Sequence, residues 1–292
     1  MNMSLQRTLE RIDTPAAEPG FLGAGHMARP LINVDFQQSD PFILLMDDVL
    51  DKKDTVPVGG PHPHAGFETV SLLLEGEIGD EAHRMQAGDF QLMTAGSGII
   101  HTETIDKQAR MRLLQLWVNL PKKDRWTTPR VQDLPLAHVP TLSKDGVSIR
   151  LYSGALASLV SPVQNHVPLI IADISMEAAT ETTLEIPGAY NGFLYVLEGS
   201  LLAGASASLL QKEQVGWLNR PATTDATQLI IQAGNAGARF VLYAGQPTGD
   251  TIVSHGPFIA DQPEEIQGLY ASFRHGGMQY INTVPATQRS SW

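Results

Sequence analysis

The sequence predicts an all-β protein of sandwich or barrel type. Short apolar, β-branched runs recur along the 292 residues, and Gly, Pro, Asn or Asp ends each of them. A weaker copy of the first half's pattern returns in the second half. Two motifs also carry ligating side chains at a spacing of i, i+2: His62 with His64, and His101 with Glu103. On a strand that spacing puts both side chains on one face.

In chain order, residues 69–74 are a strand candidate ended by Glu75-Gly76-Glu77. Residues 90–94 are a second, entered through the turn Ala87-Gly88-Asp89. Residues 112–120 are a longer one, closed by Pro121-Lys122-Lys123-Asp124. Residues 131–146 hold Pro135, Pro140 and Lys144-Asp145-Gly146, and are expected to connect two domains, 1–138 and 139–292. In the second half, residues 192–200 parallel residues 66–77. Aligning Glu198-Gly199 with Glu75-Gly76 puts Glu185 at the place of His62 and Pro187 at the place of His64. The second domain is therefore expected to repeat the fold without metal ligands. Near the end, Asp261-Gln262-Pro263-Glu264-Glu265 has a capping Asp, an early Pro and first-turn acids. Ile266, Leu269, Tyr270 and Phe273 follow at helical spacing, and Gly276-Gly277 stop the run. One short amphipathic helix is expected there.

Composition excludes several classes of function. Twenty Lys and Arg face 31 Asp and Glu, a formal net charge of −11, and no basic run occurs. Binding to phosphate backbones or anionic membranes depends on such cations, so neither is expected. No stretch approaches the ~20 apolar residues of a membrane span. The start Met1-Asn2-Met3-Ser4-Leu5-Gln6-Arg7 lacks the apolar core of a secretory signal. With no cysteine at all, disulfides and thiolate ligands are excluded, and a cytoplasmic location is expected.

The candidate site joins His62, His64, His101 and Glu103. Two strands meeting face to face would aim three imidazoles and one carboxylate at one point. That donor set suits a divalent transition metal with positions left for water, substrate or oxygen. A lone histidine in a β-protein is usually a surface or hydrogen-bonded residue. Two i, i+2 pairs each meet the same-face condition independently. Glu68 lies six residues from His62, with the same strand parity, and competes with Glu103 for the carboxylate role. Gln115 and Trp117 share parity and are candidates to line the site, with plain core as the stronger expectation for Trp117. His26, in Gly23-Ala24-Gly25-His26-Met27, is Gly-flanked and a candidate to reach the pocket, with a loop role as the stronger expectation. Gly23-x-Gly25 lacks the strand and third glycine of a dinucleotide fingerprint, and Gly96-Ser97-Gly98 is no nucleophile elbow.

The His-x-His motif with a following Glu and a later His resembles the cupin pattern. Three segments carry a closer resemblance to the pirin family: Pro61-His62-Pro63-His64-Ala65-Gly66-Phe67-Glu68, residues 88–103, and Leu114-Gln115-Leu116-Trp117-Val118-Asn119. Ser143-Lys144-Asp145-Gly146-Val147 and His255-Gly256-Pro257-Phe258-Ile259 add to it. The resemblance implies two stacked cupin β-barrels, the N-terminal one holding mononuclear iron, Fe2+ before other divalent metals. It also implies that His62, His64, His101 and Glu103 are the ligands and that Glu68 is a neighbour. Some bacterial pirins cleave flavonols such as quercetin with molecular oxygen. By resemblance, Glu103 or Glu68 would accept the substrate's hydroxyl proton. The alternative is an iron-dependent, redox-sensing regulator that binds a protein partner. One departure concerns the hairpin after Gly76, which is short, with His83 outside the His-x-Asp-Ser stretch of many pirins.

Overall fold

A computed structural model describes residues 5–79 and 84–292. The part of the short hairpin that carries His83 lies outside the described residues. Strand makes up 52% of the structure and helix 9%, as the punctuated apolar runs predict.

The chain forms two compact units that are not contiguous in sequence. One comprises residues 16–138 and 248–292, the other residues 139–247 with the N-terminal residues up to Pro15. The division into 1–138 and 139–292 is thus corrected at both ends of the chain. In the second unit, Leu9–Asp13 pairs antiparallel with Val215–Leu218. Arg7 is fully buried there, donating to Thr227 Oγ1 at 2.8 Å and to the Pro187 carbonyl at 2.7 Å. A buried guanidinium with such partners is costly to withdraw, so the N-terminal strand stays with that sheet. At the other end, Arg289–Ser291 and Gln279–Tyr280 each add a parallel strand to the first unit.

Seven strands of the first unit position the site: β1 (Phe42–Lys52), β2 (His62–His64), β3 (Phe67–Glu75), β4 (Phe90–Thr94), β5 (Ile99–His101), β6 (Ala109–Asn119) and β7 (Arg130–Leu134). Within the eight-stranded sheet, β1, β6, β3, β4 and β7 are consecutive neighbours. Strands β2 and β5 belong instead to a three-stranded sheet with Gln279–Tyr280. Helix α1 (Pro263–Arg274) buries Ile266 and Leu269 against Ala65, Ile100, Phe258 and Ala260. Its N-cap is Gln262, one residue later than expected. Asp261 is instead engaged by the buried Arg125, 3.0 Å away. Glu265 Oε2 accepts from the backbone N–H groups of Asp261 and Gln262 at 2.9 and 3.0 Å, which starts the helix.

The second unit is a nine-stranded sheet around an apolar cluster that includes Leu151, Ile174, Leu194, Leu229 and Phe240. The expected connection over 131–146 is shorter than predicted. β7 reaches Leu134, and Thr141–Lys144 already pairs with Val147–Ser153. Among the described residues, no helix is long and apolar enough to cross a membrane.

Candidate metal centre

Strands β2 and β5 lie side by side and antiparallel, with His101 opposite His62 and Ile99 opposite His64. The expected meeting of two strands face to face is therefore a pairing edge to edge. The i, i+2 rule still holds, and all three imidazoles leave one face of one small sheet. Glycines on either side permit it. Gly59 (φ 70°) approaches the Glu103 carbonyl, where a Cβ would stand 2.6 Å from the oxygen. Gly66 (φ 87°) approaches the Ile259 carbonyl, where a Cβ would stand 1.9 Å away.

Each of His62, His64 and His101 offers a ring nitrogen, all within 4.8 Å of one another. They form the one such group of three among the described residues. His62 Nε2 and His101 Nε2 are 2.8 Å apart. Two nitrogens each about 2.1 Å from one ion, at right angles, would be about 3 Å apart. The Nδ1–H of His62 donates to the Gly60 carbonyl at 2.9 Å, which leaves Nε2 as a bare lone pair. His64 Nδ1 is buried with no hydrogen-bond partner. A buried orphan of that kind calls for an absent partner, and a cation is the one that a lone pair beside two others accommodates.

Electrostatics favour the neutral rings a metal needs. Burial pushes His64 down to about 3, with charge on His62 adding to the effect and a Pro257 backbone hydrogen bond opposing it. Burial also holds His101 well below the ordinary histidine range, with His64 and His62 adding to it. At neutral pH each ring is the neutral imidazole, with one N–H and one nitrogen lone pair that is available to a metal.

Glu103 stands beside this cluster, outside the group of three. Its Oε1 accepts from Gln115 Nε2 at 2.9 Å. Burial raises it above the usual carboxylate range, His62 and Gln115 pull it down, and Asp48 pushes it up again.

Glu68 is elsewhere. Its parity with His62 is broken at Gly66, where the chain leaves β2 and enters β3 through a positive φ. On β3, Thr69 pairs with Trp117, whose ring meets Phe67 at 4.3 Å and His64 at 5.2 Å. Phe67 and Thr69 therefore face the histidines, and Glu68 between them faces away. Its Oε1 accepts from Thr94 Oγ1 at 2.7 Å on that opposite side.

Trp117, expected as plain core, is a wall of the histidine cluster, with its Nε1 buried and without a partner. His26, expected in a loop, is buried at the start of the strand His26–Pro30. Its Nε2 lies 2.9 Å from Asp48 Oδ1. Asp48 escaped notice in the sequence. Its signal was the doublet Asp47-Asp48 inside an apolar strand, where one acid must face inward.

The family model "Pirin" matches residues 26–118, and "Pirin C-terminal cupin domain" matches residues 171–279. Mouse pirin is 35% identical over 250 residues, 82% of this chain and 83% of the relative. The chain belongs to the pirin family. Each unit is accordingly a cupin domain, and the chain is a bicupin. A Pseudomonas aeruginosa pirin relative, provisionally named a quercetin 2,3-dioxygenase, is 31% identical over 277 residues, 88% of this chain and 93% of its own. The crystal structure of GK1651 from Geobacillus kaustophilus superposes with a TM-score of 0.77 at 32% identity, covering 85% of this chain and 99% of that one. A structure titled quercetin 2,3-dioxygenase from Acinetobacter baumannii shares the fold with a TM-score of 0.81 at 24% identity, covering 94% and 98%. In the second unit, Glu185 is exposed and Pro187 half-buried on the strand Glu181–Pro187, where the alignment places the lost histidines.

Proposed function

We propose that this pirin is a metal-dependent dioxygenase acting on flavonols such as quercetin, with Fe2+ held by His62, His64, His101 and Glu103. The observation that carries it is the convergence of three imidazoles with His64 Nδ1 buried and unpartnered. The name of the Pseudomonas relative supports the substrate class. When bound, the ion would supply a Lewis acid for a hydroxyl oxygen and a partner for dioxygen.

The chain's own residues set up that chemistry. His64 and His101 stay neutral through burial and hold no competing proton. Three neutral imidazoles and one carboxylate cancel only part of a divalent charge, which leaves the site attractive to a deprotonated hydroxyl. Gln115 holds Glu103 at the edge of the cluster. Phe67 and Trp117 cover the side of His64 and keep water from it. Glu68, turned away, has no part in the proton transfer.

The test is metal analysis of protein purified without added metal, followed by oxygen uptake with quercetin. Bound metal and uptake that both vanish in His62→Ala support the reading. A protein loaded with one equivalent of iron that consumes no oxygen with any flavonol overturns it in favour of the regulatory alternative.

A further inference from the structure

Arg125 lies in the turn after β6 and is fully buried. Its guanidinium is engaged on every side. Nε donates to Asp261 Oδ1 at 3.0 Å. Nη1 donates to the Gly66 carbonyl at 3.1 Å and to Asn119 Oδ1 at 2.9 Å. Nη2 reaches the Thr251 carbonyl at 3.4 Å. Gly66 stands in the turn that follows His64, and Asn119 ends the strand that carries Gln115 and Trp117. Thr251 and Asp261 bracket the segment 252–260, which returns to this unit late in the chain.

That returning segment touches the metal centre. Pro257 has no backbone N–H, so its backbone bond with His64 runs from a ring N–H to the Pro257 carbonyl. The Ile259 N–H donates to the Ala65 carbonyl at 3.0 Å, between His64 and Gly66. Ile252 packs in the apolar cluster of Phe67 and Trp117. The angle of a ligating imidazole is set by the acceptor of its other N–H. Arg125 grips both sides of that bond: the turn leaving His64 and the two ends of the segment that carries Pro257. A planar fork of five donors can hold such a spread of acceptors, whereas an ammonium is a single point. We infer, resting on the metal assignment above and not on the substrate class, that Arg125 is a positioning residue of the metal centre. It fixes the Pro257 carbonyl against His64 and so holds that ring at the angle the metal requires.

The experiment is titration of the chelated full chain with Co2+ against a competing chelator, read in the visible d–d bands, with the Tm of the chelated protein measured alongside. Arg125→Lys keeps the charge that Asp261 pairs with but loses the fork. Its Co2+ affinity should fall on the order of 10-fold, and the bands should shift. Asp261→Asn frees the same fork from its other end and should weaken Co2+ in the same direction. The double variant should lose less than the two single losses together. Glu68→Gln, in the same unit but turned away from the histidines, is the control: it should lower Tm and leave Co2+ affinity unchanged. A lowered Tm in Arg125→Lys with unchanged affinity and bands would show a structural role and overturn the inference alone. If Arg125→Lys does not fold, unchanged affinity in Asp261→Asn overturns it likewise. An equal loss of affinity in Glu68→Gln would also overturn it, because any destabilisation would then weaken the metal. If the unchanged protein binds no Co2+, the metal assignment falls and the inference with it.

Discussion

Acid should destabilise the metal-free protein through His64. Burial holds this ring down to about 3 in the folded chain, against about 6.5 when it is unfolded. Between those values the unfolded chain binds a proton that the folded chain refuses. Stability is therefore complete above about pH 6.5 and declines as the pH falls from 6.5 toward 3. His64 is only 4% exposed, so solvent screening takes little away. From pH 6.5 to 5 the loss is about 1.5 pH units at ~1.4 kcal/mol each, roughly 2 kcal/mol. His101, also held low by burial, contributes with the same sign. Urea unfolding of chelated wild type and His64→Gln at pH 7.5, 6.5 and 5 isolates the single site. The stability difference between the two proteins should shift by about 2 kcal/mol, against the wild type, over the acid step. A difference that does not change with pH would refute the assignment of His64 as a ring kept neutral by burial.

The intact protein should retain one equivalent of metal, and His62→Ala or His101→Ala none; a second tightly held equivalent would contradict a ligand-free second unit. Chelation should leave the far-ultraviolet β-signal in place at room temperature while lowering Tm, because each unit buries a core of its own. Loss of that signal would show the metal to be structural. Glu103→Gln should weaken metal retention, whereas Glu68→Gln should keep the metal and lose about 1–3 kcal/mol of stability, by metal analysis and urea titration. The reverse pattern of metal loss would restore Glu68 to the site. Gly66→Ala forces a Cβ to 1.9 Å from the Ile259 carbonyl at a positive φ. It should cost more than ~2 kcal/mol, and an unshifted urea midpoint would count against that close approach.

Sequence periodicity was enough for the all-β class, the strands around residues 69–74, 90–94 and 112–120, and α1. Each of these follows from local pattern: period two, period 3.6, and the residues that end a run. The three histidines were legible for the same reason, since i, i+2 spacing is a property of one strand and survives whatever that strand packs against. Glu68 was misplaced because parity was carried across Gly66, and a single positive φ resets which face the next residue takes. The exchanged termini were invisible because Arg7 and Asp261 find partners more than a hundred residues away, Thr227 and Arg125.

What the sequence determined by itself is thus the element types and the three clustered histidines, both of which depend on near neighbours in the chain. Only the tertiary structure decided where each carboxylate stands. Gln115 on β6 holds Glu103 beside the histidines, and His26 holds Asp48 at the small cavity that Glu103 also lines. Glu68 stands apart from them, because β3 turns it toward Thr94. Burial of a charged group is set by the strands packed around it, and those strands come together only when the sheet forms.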